Sequence, residues 1–252
     1  MLSSPISALL LKLLFTILAL VAASRFVGDA SSLRKAAALR GIGGLLLGGL
    51  AGAKAGFWLQ YPQLLLRADW VDTSGVWLAA AGLSAPGACA GGALGLVLAA
   101  RADAATLAER LLPAALVMLM ILDLGALTWS LTESGFGAAA PRWGINFGDG
   151  VRRHPVMLYD AAAMAALLWV AQHARAAGFA PGLRVAMVGA AGFGVWFLLG
   201  FLKPPFGPIL LLEAIYPRPA LYAPGLTGEQ WLCLLALLVL GCFCARRIAR
   251  PR

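Results

Sequence analysis

Long apolar runs, separated by short polar stretches, dominate this chain. They cover about 5–23, 41–60, 76–100, 111–131, 155–171, 183–202 and 230–245. Most approach the ~20 residues that a helix needs to cross a bilayer. Apolar and polar positions do not alternate inside them, as they would along barrel strands. In lipid every backbone polar group must be satisfied within its own segment, so the runs are expected to be helices. The pattern predicts an all-α polytopic membrane protein with seven transmembrane helices in a single domain, 1–252. The first run is too long for a signal-peptide core, lacks a basic start and carries Lys12, so it is expected to be retained.

Glycine is patterned within the runs. Gly41, Gly43, Gly44, Gly48, Gly49 and Gly52 descend one run; Gly82, Gly87, Gly91, Gly92 and Gly95 descend the next. Small residues let helices approach closely where lipid provides no hydrophobic drive, and the same gaps can leave room for a lipid headgroup. Ala85-Pro86-Gly87 is expected to open its run as a loop or re-entrant piece, with regular helix from about Gly91, because proline lacks a backbone donor and disfavours helix before it. Such irregular backbone would line a cavity wall. The stretch 203–229 holds six prolines, Pro204, Pro205, Pro208, Pro217, Pro219 and Pro224. It reads as a periplasmic loop, with 209–215 along the interface and Tyr216 and Tyr222 as belt residues.

Composition strengthens this picture. Apolar residues make up 61% and charged residues 12%, and the mean hydropathy is +0.85. Soluble domains carry roughly 25% charged residues. The net charge of +9 comes from Lys and Arg at run ends, which fits topology and anionic lipid rather than nucleic acid. Arg25, Arg34, Lys35, Arg40, Arg101, Arg110, Arg175, Arg184, Arg246, Arg247, Arg250 and Arg252 would share one side. Arg67, Arg142, Arg152, Arg153, Lys203 and Arg218 would share the other. The richer side should be cytoplasmic, which puts the N-terminus outside and the C-terminus inside. The cysteines Cys89, Cys233, Cys242 and Cys244 have no metal spacing and read as small apolar residues.

Against this background the segment 141–160, PRWGINFGDGVRRHPVMLYD, is unusually polar. Arg152, Arg153 and His154 precede Pro155, a residue favoured at a first helical position. Cations beside a helix N-terminus make a phosphate site; an exposed basic loop on anionic lipid is the plainer alternative. Tyr159 and Asp160 follow. His154 and Asp160 can both face inward only if the entry loop bends. Two ionisable residues lie inside other runs, where charge is costly. Lys54 either snorkels to the surface or contacts a lipid phosphate. Asp123 needs a partner on another helix, as a packing hydrogen bond or as a functional acid.

These residues also carry a resemblance. Trp143-Gly144-Ile145-Asn146-Phe147, Asp149-Gly150 and Arg153-His154-Pro155 through Leu158-Tyr159-Asp160 resemble the W-G-V-x-F … D-G … R-H-P-x-Q-L-Y-E stretch of bacterial prolipoprotein diacylglyceryl transferases. Gly52-Ala53-Lys54-Ala55-Gly56-Phe57 is similar to that family's G-G-R-x-G-Y piece. Gly200-Phe201-Leu202-Lys203 is similar to E-F-F-R, and Gly228 with Gln230 to the G-Q opening of the last span. The resemblance implies a multi-pass protein of the bacterial inner membrane that moves a diacylglyceryl group from phosphatidylglycerol to a cysteine of an exported lipoprotein precursor, with no metal or other cofactor. It implies Lys54, Arg153, Tyr159, Lys203, Asn146, Gln230 and Asp123 around the lipid. His154, Glu133 and Asp160 would handle protons or orient the acceptor.

The departures are specific. Ala90 stands where the family has histidine, and Ala126 and Trp129 stand where its signature has arginine and asparagine. Lys54 and Lys203 replace arginines, and lysine lacks the bidentate fork that suits phosphate. Glu133 stands near the signature's glutamate. The chain therefore resembles a divergent member. Its expected roles are a phospholipid-dependent transferase, an inactive relative that binds lipid, lipoprotein or another membrane protein, or a small transporter subunit.

Overall fold

The computed structural model describes Leu14, Ile17, Leu18, Val21 and residues 35–62, 84–129, 137–140, 142–146, 150–203 and 221–249. Within these the chain forms six helices: α1 (Lys35–Gln60), α2 (Ala85–Ala100), α3 (Ala104–Trp129), α4 (Val156–Ala176), α5 (Pro181–Leu199) and α6 (Gly228–Ile248). Two short antiparallel hairpins join them, β1 (Ile145–Asn146) with β2 (Arg152–Arg153), and β3 (Leu221–Tyr222) with β4 (Leu226–Thr227). Among the described residues five helical stretches are long and apolar enough to cross a membrane, one of them the 41-residue Ala85–Gly125. That stretch runs through α2, the 3-10 turn Arg101–Asp103 and α3. Arg101 takes a φ of +49° at the break. The expected first span lies outside the described residues, except that Leu14, Ile17, Leu18 and Val21 are helical.

α1 and α2 are locked backbone to backbone. A methyl group added at Gly44 would strike the Gly95 carbonyl. One at Gly48 would strike the Gly91 carbonyl, and one at Gly52 the Gly87 carbonyl. The reverse holds: Gly87, Gly91 and Gly95 face the carbonyls of Gly52, Gly48 and Gly44. Four-residue spacing on both helices keeps one glycine per turn on the seam. The order is antiparallel. At such separations Cα–H groups meet carbonyl oxygens, a weak interaction that repeats at each turn. The seam ends at Gly56, against which the buried Ser84 packs.

Ser84 also corrects the expectation for Ala85-Pro86-Gly87. The helix is regular from Ala85. The Ser84 hydroxyl accepts from the Gly87 N–H at 3.2 Å, and Pro86 sits in the first turn, where its missing N–H has no helical partner to lose. The Ser84 N–H donates to the Ala53 carbonyl at 3.1 Å, which fixes the start of α2 against α1.

The other helices run antiparallel by neighbour. Leu116 of α3, Met164 and Leu167 of α4 and Val188 of α5 form one core cluster. Leu96 and Ala100 of α2 meet Ala104 and Leu107 at the start of α3 in another. A methyl group added at Gly182 of α5 would lie 3.6 Å from the Ala105 Cβ of α3, and Arg184 pairs with Glu109 at 2.6 Å. Gly189 and Gly194 of α5 pack against Leu240 and Leu237 of α6. Gly228, opening α6, packs on Leu59 of α1, and the Tyr222 hydroxyl donates to the Leu59 carbonyl at 2.8 Å.

The bundle therefore has two distinct ends. One gathers Arg40, Arg101, Arg110, Arg175, Arg184, Arg246 and Arg247. The other gathers both hairpins with Arg142, Arg152, Arg153 and Lys203.

The seam makes a contrast testable. Gly91→Ala forces backbone apart and should destabilise by about 1–3 kcal/mol, the usual range for overpacking. Gly43 has nothing within 4 Å of an added methyl, so Gly43→Ala should be neutral or stabilising by up to about 1 kcal/mol through helix propensity. Thermal unfolding of both variants in one detergent checks the order; equal melting temperatures would remove the seam's claimed role.

Candidate functional site

The hairpin end carries the chemistry. Ile145 pairs with Arg153 and Asn146 with Arg152. The Asn146 side-chain oxygen accepts from the Gly150 N–H at 3.2 Å, and Gly150 has φ +79°, so the turn closes through a side chain on a residue that tolerates positive φ. Residues 137–140 lie along the other side of β2. Ala140 N–H donates to Arg152 O at 2.8 Å, Gly137 N–H to His154 O at 2.9 Å, and His154 N–H to Ala138 O at 3.0 Å. Glycine is needed at 137, where an added methyl would lie 2.5 Å from the His154 Cβ.

This small ladder reaches the turn that follows α5. Ala138 N–H donates to the Leu202 carbonyl at 2.6 Å. Leu202 and His154 are thus both hydrogen-bonded to the backbone of Ala138. Arg153, His154 and Lys203 belong to one backbone network.

His154 is half-buried just outside α4. Pro155 at the helix cap takes ψ 72°, which bends the entry. The bend turns His154 toward Tyr159, not Asp160: its Nδ1 lies 3.4 Å from the Tyr159 hydroxyl. Trp143, strongly exposed, meets the imidazole edge-on with ring centres 5.5 Å apart. An imidazole held between a phenol and an indole has a defined orientation and one edge left for a proton.

Asp160 faces elsewhere. Its carboxylate accepts the Trp196 indole N–H, at 3.0 Å to Oδ1 and 3.1 Å to Oδ2. Asp123 and Asp160 lie within electrostatic range of each other and of Lys203. The helix register explains the first proximity. Asp123 is one turn beyond Met120 on α3, Asp160 is one turn before Met164 on α4, and those methionines share a cluster on antiparallel helices. The neighbour of Asp123 on another helix is thus a second carboxylate.

Lys203 follows α5 and pairs with Glu229 in the first turn of α6, Nζ to Oε2 3.6 Å. The Glu229 carboxylate holds the Lys203 ammonium above the usual lysine range; partial burial works against this, and Asp160 and Cys233 add to it. Gln230 is buried and completes a capping box. Its Oε1 accepts from Thr227 N–H at 2.9 Å, and its own N–H donates to the Thr227 hydroxyl at 3.3 Å. With Oε1 so used, the amide orientation is settled, and Nε2 is buried with no partner among the described residues.

Lys54 is half-buried on α1, next to the Ala53 carbonyl that anchors Ser84. Glu133 lies outside the described residues. Reading the sequence did not single out Trp196, Glu229 or the pair Cys89 and Cys233, the last two also in electrostatic range of each other. The Thr227…Gln230 capping spacing was a readable signal for this corner; an indole N–H inside a span, which needs an acceptor, was the signal for Trp196.

The fold is that of a helical, multi-pass membrane protein. Compared with known protein families and with characterised proteins, the chain matches none.

Two outcomes follow from these contacts. Trp196→Phe strips the donor from a partly buried carboxylate and should cost about 1–3 kcal/mol. Asp160→Asn, which can still accept the indole N–H, should cost less in the same thermal-unfolding assay. For Lys203 the folded pKa stands above the ordinary 10.5. The pair's stabilisation is therefore complete below that value and is lost as pH rises through the raised one. The melting-temperature gap between wild type and Lys203→Gln should stay constant from pH 7 to 9 and narrow only in the alkaline range beyond.

Proposed function

We propose that this protein is a phospholipid-dependent transferase of the prolipoprotein diacylglyceryl transferase type, spanning a bacterial inner membrane seven times with its N-terminus outside. The observation that carries the reading is one backbone network holding Arg153, His154 and Lys203 at a single end of the bundle, with Tyr159 against the imidazole. That end holds fewer cations than the opposite one, which agrees with an outward face.

In this reading the phosphate of phosphatidylglycerol lies by Arg153 near the α4 N-terminus, where the helix dipole favours an anion. A thiol of the acceptor attacks the glyceryl carbon that bears the phosphate. A carbon–sulfur bond forms, the carbon–oxygen bond to phosphorus breaks, and glycerol phosphate leaves with the electron pair. His154 takes the thiol proton, and cationic donors stabilise the charge gathering on the leaving phosphate. Tyr159 orients the imidazole.

A second reading, an inactive relative that binds lipid or lipoprotein, is favoured by one observation. Lys203 already has a carboxylate partner in Glu229, so it does not stand ready for a phosphate.

Complementation of a strain depleted of its own diacylglyceryl transferase separates the two. Rescue is expected from wild type, and His154→Ala should lower turnover by about 10²–10⁴-fold, the usual worth of a positioned base. Equal rescue by His154→Ala would remove the proposed base. Lipid binding without rescue would leave the second reading.

A further inference from the structure

Resting on the reading of the hairpin end as a lipid-phosphate site, we infer that Glu229 is the residue that sets the site's affinity for phosphate. It is a built-in competitor that Lys203 must leave before it can grip a phosphate group.

The ion pair has the geometry of an exchangeable contact. Its 3.6 Å separation exceeds the 2.7–2.9 Å typical of a tight charge-assisted hydrogen bond. The partners are unequal. The Glu229 side chain is 18% exposed and that of Lys203 is 44% exposed. Glu229 belongs to the first turn of α6, where the helix dipole favours a carboxylate, and its neighbours Thr227 and Gln230 are tied by the capping box. Lys203 lies in the turn after α5 on a four-carbon stem. The lysine is the partner that can swing.

Charge balance explains why it has to. Lys203 is faced by Glu229 from α6 and by Asp160 from α4, with Cys233 of α6 also in range. A phosphate arriving while Glu229 remains engaged meets a surplus of negative charge. A phosphate that draws Lys203 away meets a cation carried on the same backbone network as Arg153. Glu229 thus weakens all phosphate ligands and keeps Lys203 satisfied while the site is empty. The shared ligand chemistry is a phosphate ester, from a membrane lipid or from a soluble molecule such as glycerol phosphate.

The test is a double-mutant cycle on the purified full chain. Binding is measured to nanodiscs of neutral lipid doped with phosphatidylglycerol, and to free glycerol phosphate in phospholipid-free detergent. Glu229→Gln keeps the side chain's shape and should tighten binding roughly two- to fivefold, the size expected for releasing a part-exposed ion pair. Lys203→Gln should weaken it. With Lys203→Gln in place, Glu229→Gln should have no further effect. Thermal unfolding of each variant confirms that it is folded.

Unchanged or weaker binding by Glu229→Gln overturns the inference, as does tightening that survives removal of Lys203. Either result, with binding still dependent on Arg153, leaves the lipid-phosphate site standing. If the cycle behaves as expected with free glycerol phosphate but no variant discriminates the doped nanodiscs, Glu229 keeps its role and the lipid reading falls. If wild type binds neither ligand, both fall.

Discussion

The close approach of α1 and α2 governs the rest of the molecule. Lipid tails are as apolar as leucine, so two helices gain nothing by hiding apolar surface from them. What remains is contact, and contact is greatest where no side chain holds the backbones apart. Three glycine–carbonyl meetings on each helix, one per turn, use that option along the whole of α2. At one end of the seam Ser84 is pinned to Ala53. At the other, Gly41 lies against Leu96, Ala100 and Leu107, which directs the chain into α3. The register of two helices thus decides where a third begins.

The polar end depends on a different kind of constraint. Backbone groups outside helices must find partners, and here they find each other: 137–140 lies between β2 and the end of α5, and the hairpin hangs from it. Ionisable side chains there are held by named partners. Asp160 rests on an indole from α5, Lys203 on a carboxylate from α6, and His154 between an indole and a phenol. The first two of these contacts tie α4 to α5 and the end of α5 to α6 at the polar end of the bundle.

How far this was readable from the residues varies with the range of each interaction. The helices were legible because their apolar runs are long and unbroken. The four-residue glycine spacing was legible on each helix, though the pairing of Gly48 with Gly91 was not, since register belongs to two helices jointly. Pro86 misled because a missing N–H is a defect mid-helix and harmless in a first turn; Ser84 just before it was the sign that decided between them. The His154 neighbourhood was legible as a polar segment before a helix. Its actual neighbour, Tyr159, depends on the bend at Pro155. Trp196 with Asp160 and Lys203 with Glu229 span 36 and 26 residues of chain, and no local pattern announces such a meeting.

The brevity of α2 has a consequence for the surrounding bilayer. Its 16 residues rise about 24 Å, against a hydrocarbon slab of about 30 Å. Leu94, Val97 and Leu98 point outward from it. A membrane meets such a shortfall by thinning locally. Headgroups beside α2 are then drawn inward by several ångströms, so that they sit nearer the bilayer midplane there than elsewhere around the bundle.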